Sequence, residues 1–141
     1  MLLDADFDGP LVDSAAKGNT IEYMGHDQVD GDDAYKLKVT LKNGDIIYYY
    51  LDPDTYLEIR KEIQMFIRGS VQEFFVNLGS YKPVNGVMFP FSIASGPKGS
   101  DSPPNTTYDK IEVNTPVQES GFALPAALKP DAAKKPDAPK H

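Results

Sequence analysis

The chain has 141 residues, and its 14 Lys and Arg against 21 Asp and Glu give a formal net charge of −7. That length suits one domain. The negative charge argues against nucleic-acid binding, because phosphate recognition depends on clustered basic side chains. Cysteine is absent, which excludes disulfide and thiolate chemistry.

The apolar stretches are far shorter than the roughly 18 residues that a membrane helix needs. The start, MLLDADFDGP, has no basic region ahead of its few apolar residues, so it does not form a secretory signal peptide. We therefore do not expect an integral membrane protein. The chain is either cytosolic or lacks its native beginning.

The segment DADFDGPLVDSA (4–15) begins like a calcium loop of the EF-hand type. The residues that match loop positions one, three, five and six are Asp4, Asp6, Asp8 and Gly9. Position twelve, which should be a bidentate Glu, is Ala15, and the flanking helices are missing. We interpret 1–18 as an acidic N-terminal loop or short helix rather than a calcium site.

Apolar and polar residues alternate from about residue 20 onward, which predicts β-strands. The predicted strands are 20–29, 35–42, 45–52, 56–67, 71–78, 87–95 and 106–114. Asn43-Gly44 predicts a type I′ hairpin, in which both central residues have positive φ. Pro90 lacks a backbone donor, so its strand should lie at an edge or carry a bulge. The short turns indicate a mainly β fold, an antiparallel sheet of six to seven strands with little helix.

The antiparallel domain is predicted over 19–127. The tail, 128–141, is rich in Ala, Pro, Lys and Asp and has no apolar residue other than Ala after Leu128. Such a composition cannot build a core, so we expect the tail to be disordered.

Candidate catalytic residues are few. His141 lies in the tail, so His26 is the imidazole available for a triad or a metal site, and no nucleophile motif or phosphate-binding glycine loop is present. Turns, in which Asp bonds its own backbone, explain the acidic stretch 27–33 and the pair Asp52 and Asp54. We expect no metal and no cofactor. A hydrolase or metal-dependent enzyme is the weakest hypothesis.

Large apolar side chains are predicted on both faces of the strand 45–52. Ile46, Tyr48 and Tyr50 alternate with Ile47, Tyr49 and Leu51. These residues either fill a sandwich or barrel core, or line a concave sheet that holds an apolar ligand or is covered by another segment. The composition leaves both interpretations open.

Four stretches resemble, in order, the LolA-like periplasmic lipoprotein carriers and their outer-membrane lipoprotein-sorting relatives. They are YMGHDQVDGDDAYKLKVTLKNGD (23–45), YYYLDPDTYLEIRKE (48–62), SYKPVNGVMFPFSI (80–93) and FALP (122–125). The resemblance covers about residues 20–125, which correspond to the C-terminal two-thirds of the family's domain. It implies a strongly curved, unclosed half-barrel that carries lipoprotein acyl chains or other lipids through the periplasm without catalysis.

The resemblance also implies that one alternating set of side chains lines the concave face and binds the ligand. That set is Tyr48, Tyr50, Leu57, Ile59, Phe89 and Phe91. Which face is concave stays open, since a shift of one residue exchanges the two faces.

The leading hypothesis is therefore non-enzymatic binding or transport of a lipid or acyl group in the periplasm. The missing first strands of the family's domain would leave an open sheet edge, and such an edge tends to pair with a second copy. The alternative is a structural or interaction module that self-associates, as a homodimer, through its apolar sheet face or that edge.

Overall fold

The computed structural model describes residues 8–123. The chain divides into two compact units, Met1–Ile111 and Glu112–His141, and each is described by itself. The sequence predictions that lie outside the described residues concern Asp4, Asp6, the end of the antiparallel domain (124–127, with the last two residues of FALP) and the tail 128–141.

Among its described residues, the first unit contains one short helix and nine strands. They are α1 (Ser14–Lys17), β1 (Thr20–Val29), β2 (Asp32–Thr40), β3 (Ile46–Leu51), β4 (Glu58–Ile67), β5 (Ser70–Gly79), β6 (Lys82–Val84), β7 (Val87–Phe89), β8 (Ser92–Pro97) and β9 (Asn105–Thr107). The described part of the second unit contains a 3₁₀ helix, Glu119–Phe122.

Seven strands form one antiparallel sheet in the order β1-β2-β3-β4-β5-β8-β9. β6 and β7 form a separate two-stranded antiparallel sheet. The prediction of a mainly β, antiparallel fold with little helix is confirmed. Within residues 8–123 the sheet does not close into a barrel, because β1 lies at one edge and β9 at the other.

Three hairpins turn through two-residue loops in which both φ angles are positive, the pattern of a type I′ turn. These loops are Asp30-Gly31, Arg68-Gly69 and Asn85-Gly86. In each hairpin the residues that flank the loop pair directly with each other. The turn predicted within the acidic stretch 27–33 forms at Asp30-Gly31.

The hairpin at Asn43-Gly44 forms, but its predicted turn type is wrong. Gly44 has a φ of 91°, whereas Asn43 is not among the residues with positive φ. The Gly44 amide donates to the Leu41 carbonyl at 2.9 Å and the Leu41 amide to the Asp45 carbonyl at 2.8 Å, so the loop has three residues and ends in a glycine bulge. Asn43 holds this shape, since its side-chain oxygen accepts from the Asp45 amide at 3.0 Å.

Two strands differ most from their predicted bounds. The strand 87–95 is divided at Pro90 into β7 and β8, because proline has no amide to donate to a ladder. The strand 106–114 is reduced to β9, which pairs only with the first three residues of β8. Beyond Thr107 the partner strand has ended, and the Tyr108 amide donates instead to the Phe91 carbonyl at 2.9 Å.

The register assigns the strand residues of the large sheet to two faces. One row of directly paired residues crosses six strands: Ile21, Val39, Ile47, Ile63, Phe74 and Pro97. The adjacent row, on the other face, is Glu22, Lys38, Tyr48, Glu62, Phe75 and Gly96. We call the face that carries the first row the apolar face and the other the charged face.

Candidate functional site

The core of the first unit lies on the apolar face, around β2 and β3. Val39, Ile47 and Tyr49 are 0, 2 and 3 % exposed. The half-buried residues that pack against them are Leu11, Leu37, Leu41, Leu51 and Ile63. Leu11 comes from the segment before α1, so a piece of chain outside the sheet covers this part of the face.

A pocket of about 250 Å³ lies between that N-terminal segment and the apolar face. Leu11 lines it on one side, and Ile47, Tyr49 and Ile63 line it on the other. The volume is slightly below the range of roughly 300–1,000 Å³ usual for small-molecule sites. The pocket therefore suits a short apolar chain or the end of a longer one.

Two side chains tie the N-terminal wall of the pocket to the fold. The Lys17 ammonium donates to the Gly9 carbonyl at 2.8 Å, and the Asn19 amide donates to the Pro10 carbonyl at 3.2 Å. The Asn19 side-chain oxygen in turn accepts from the backbone amide of Lys42 at 3.2 Å. The wall is thereby connected to the hairpin between β2 and β3.

One basic residue, Lys61, and two acidic residues, Asp8 and Glu58, line the pocket. The Lys61 ammonium lies 3.6 Å from the Glu58 carboxylate and 5.8 Å from the centre of the Tyr49 ring. Burial, and then the charge of Glu58, raise the pKa of Tyr49 well above its usual value, so its hydroxyl stays neutral. The site can thus offer apolar contacts to a chain and an ammonium to its anionic end.

Tyr81 stabilises the start of β4 beside the pocket. Its hydroxyl donates to the Glu58 carbonyl at 2.6 Å, and burial together with the nearby Glu58 charge raises the pKa of Tyr81. The neutral phenol therefore keeps its proton and remains a donor over the physiological pH range.

The charged face is covered by its own long side chains. The Lys36 ammonium lies 5.1 and 5.2 Å from the ring centres of Tyr48 and Tyr50, and the Arg60 guanidinium lies 4.8 Å from that of Phe75. Such stacking buries aromatic rings under aliphatic stems while the charged ends stay hydrated. As a result Tyr50 and Phe75 are only 5 % exposed.

Ion pairs neutralise most of these charges. The pairs are Lys36 with Asp27 at 2.7 Å, Lys38 with Glu22 at 3.4 Å, Arg60 with Glu62 at 3.0 Å, and Lys98 with Glu62 and Glu73 at 3.3 and 3.5 Å. In the Lys36–Asp27 pair, the hydrogen bond lowers the pKa of the carboxyl and raises the pKa of the ammonium. Neither group changes charge near neutral pH.

The six residues predicted to bind a ligand do not share one surface. Tyr48 and Tyr50 lie together on the charged face. Leu57 closes the turn before β4, where its carbonyl accepts from the Asp52 amide at 2.9 Å. Ile59 lies at an irregular step in the pairing of β3 with β4.

The remaining two residues lie near the two-stranded sheet. Phe89 ends β7 and pairs with Lys82. Phe91 lies between β7 and β8, is 7 % exposed, and has the Lys82 ammonium 4.7 Å from its ring centre. A ligand-binding role for the six residues stays a prediction.

Register explains why the six residues separate. Tyr48 pairs with Glu62 and Tyr50 pairs with Arg60, so from Arg60 onward the even-numbered residues of β4 share the face of the two tyrosines. The odd-numbered apolar residues of β4 face the other way, as Ile63 does. Sequence alternation also gave no sign that Leu11 and Lys61 would line one pocket, because the N-terminal segment has no strand register.

The other residues considered for chemistry occupy turns and edges. The His26 ring nitrogen Nδ1 lies 2.8 Å from the Asp33 carboxylate, and both side chains are more than half exposed. Asp52 accepts from the backbone amides of Asp54 and Thr55 and from the Thr55 hydroxyl. These bonds, Thr55 first, lower the pKa of Asp52, and they are the turn chemistry predicted for it.

Among residues 8–123, no group of three or more His, Cys, Asp or Glu side chains is arranged to hold a metal ion. No helix in the same range is long and apolar enough to cross a bilayer.

Comparisons of the chain with protein-family models, with curated proteins and with solved structures gave no match. The resemblance to the LolA-like carriers therefore stays a prediction that rests on the four sequence stretches.

Proposed function

We propose that this protein binds a lipid or acyl chain without catalysis, with the chain's end in the pocket beneath the N-terminal segment. The observation that carries the proposal is a pocket with an apolar floor of Ile47 and Ile63, an apolar wall at Leu11, and one ammonium, that of Lys61, which also pairs with Glu58. The proposed compartment, the periplasm, rests on the sequence resemblance alone.

Burial of area would supply the affinity. Each buried methylene contributes about 0.8 kcal/mol, so a short chain needs few polar contacts. Beyond the pocket, the apolar face continues over β5 and β8 through Phe74, Val76 and Leu78, which are half-buried, and Ile93. A chain longer than the pocket would extend along these residues.

Native mass spectrometry with added dodecanoate tests the proposal. Leu11→Ser should weaken dodecanoate binding about tenfold, because it removes an apolar wall worth roughly 1.4 kcal/mol. Val12→Ser is the matched control, since Val12 is the next residue, is 50 % exposed and does not line the pocket. Equal binding by the two variants, or no binding by the unmodified protein, would contradict the proposal.

The role of Lys61 is tested with two ligands of equal chain length. Lys61→Gln should weaken the binding of dodecanoate and leave that of dodecanol unchanged, because only the carboxylate uses the ammonium. A variant that loses both ligands equally would show that Lys61 shapes the pocket rather than binding the anionic end.

Self-association through the β1 edge is a second candidate function. β1 is ten residues long and, in the described part of the chain, pairs with β2 alone. Ile21, Tyr23 and Met24 on this strand are 40, 60 and 51 % exposed, and such an edge can pair with an identical edge of a second copy. The opposite edge, β9, has only three residues.

The mass measured by light scattering after size exclusion tests this second candidate. A dimer should dissociate in Tyr23→Lys, since a charge on an edge strand opposes pairing. Val12→Lys is the control, because Val12 is 50 % exposed but lies outside the strands of the sheet. A monomer at all concentrations would exclude the dimer.

A further inference from the structure

Four aromatic rings form a cluster where β1, β2 and the turn after β3 meet. Tyr35 is at its centre: His26 and Tyr23 meet it edge-on, with ring centres 4.8 and 6.1 Å away, and Tyr56 stacks on it at 5.9 Å with 12° between the planes. We call Tyr23, His26, Tyr35 and Tyr56 the aromatic cluster. It uses no residue of the proposed acyl pocket.

The outer rings of the cluster are exposed. Tyr23 and Tyr56 are 60 and 66 % exposed. Large aromatic side chains usually contribute to stability by being buried, so this exposure calls for another explanation. Tyr56 is held in place by its turn, because its amide donates to the Asp52 carbonyl at 2.8 Å. Its φ is +58°, a conformation that favours Gly or Asn over Tyr. The ring is thus displayed at a position where a smaller residue would fit better.

A cleft that is lined by carboxylates adjoins the cluster at Asp33. Asp33, which bonds His26, also lines this cleft of about 610 Å³. The other aspartates of that cleft are Asp30, Asp32, Asp52 and Asp54, and its lining contains no Lys, Arg or His. Asp54 is two residues from Tyr56. An exposed aromatic surface beside a cleft that is lined by carboxylates is complementary to a cation.

We propose that the aromatic cluster is a docking surface for an arginine-bearing basic peptide segment of a partner protein. A guanidinium is planar, stacks on an aromatic face and can bond carboxylates with several donors at once. The outward face of Tyr56 receives the guanidinium plane, and the neighbouring carboxylates receive its donors. An anionic peptide is repelled by the same groups.

Fluorescence anisotropy of labelled hexa-arginine at physiological ionic strength tests the proposal. Tyr56→Gly removes the ring and relieves the unfavourable φ, so the fold is retained, and binding should weaken about two- to fivefold. Ser80→Gly is the matched control, since Ser80 also has a positive φ, of 52°, and carries no ring. Neither substitution changes the net charge.

The charge requirement is tested with a second pair of variants. Asp54→Asn should weaken hexa-arginine binding about twofold, whereas Asp101→Asn, which removes one exposed charge elsewhere, should not. Hexa-lysine should bind more weakly than hexa-arginine, because an ammonium lacks the stacking plane. Equal affinities for Tyr56→Gly and Ser80→Gly would overturn the proposal, and so would binding of hexa-glutamate as tight as that of hexa-arginine.

This outcome is separable from that of the acyl-binding proposal. Tyr56→Gly should leave dodecanoate binding unchanged, and Leu11→Ser should leave hexa-arginine binding unchanged. Failure of one ligand to bind would therefore contradict its own proposal and leave the other proposal unaffected.

Discussion

Adjacent residues of β3 lie on opposite faces of one sheet, and different kinds of side chain cover the two faces. On the apolar face, Ile47 and Tyr49 are buried by other apolar side chains, including one from outside the sheet. On the charged face, Tyr50 is almost as well buried, yet its cover is the stem of Lys36. Burial of an aromatic ring therefore does not by itself indicate a second layer of structure, because long basic side chains can supply the cover.

Truncating an isoleucine on each face should give the largest difference in the free energy of unfolding between the two faces. Ile47→Ala should lower the free energy of unfolding by about 2–5 kcal/mol, because it leaves a cavity in the core. Ile46→Ala, one residue away on the half-buried charged face, should cost only about 1 kcal/mol. Urea unfolding followed by circular dichroism measures both, and equal losses would contradict the difference between the faces.

The cover of the charged face can be tested at Arg60, whose guanidinium stacks on Phe75 and pairs with Glu62. Arg60→Ala should cost about 1–2 kcal/mol, since it removes both the stem and the charge. Arg60→Met keeps a long apolar side chain over Phe75 and should cost less. If the two variants were equally unstable in urea, the charge rather than the stem would be the stabilising part.

The smallest expected effect is the pH dependence of the Lys36–Asp27 pair. Because the pKa of Asp27 is lowered in the folded protein, the pair stabilises the fold above about pH 4, and this contribution is lost as the pH falls through the lowered pKa. The carboxylate is exposed and screened, so Asp27→Asn should cost less than about 1 kcal/mol at pH 7.

The same pair sets an upper limit to that pH window. The pKa of Lys36 is raised, so its contribution is present below its ordinary pKa and is lost only as the pH rises through the raised one. The difference in stability between the unmodified protein and Asp27→Asn should therefore be constant from about pH 5 to pH 9 and shrink on acidification. A difference that persisted at acid pH would show that Asp27 acts through something other than its charge.

Much of the fold could be predicted from the sequence, because local signals and the sheet agree. β1 has the predicted bounds, and the acidic stretch 27–33 contains the predicted turn. Alternation failed where the chain inserts a residue. Tyr50 pairs with Arg60, but the next residue of β3, Leu51, pairs with Glu58, so Ile59 is the inserted residue of β4. That irregularity exchanges the faces of the residues at the start of β4.

The candidate sites were harder to predict, because each depends on parts that are distant in sequence. Leu11 lies in an acidic segment that reads as a surface loop, yet it packs against the core. Tyr35 and Tyr56 come to one cluster from a strand and a turn on either side of β3. Spacing along the chain carries no signal for such contacts, since a turn's backbone conformation decides where its side chains point.

The order of strands in the large sheet bears on how the chain folds. From β1 to β5, each strand pairs with the next one along the chain, so most contacts join residues that are close in sequence. Chains of this kind close only short loops and fold faster than all-β proteins whose strands pair across long distances. Each of these strands can therefore pair once the next strand along the chain has been synthesised, without waiting for a later part of the chain.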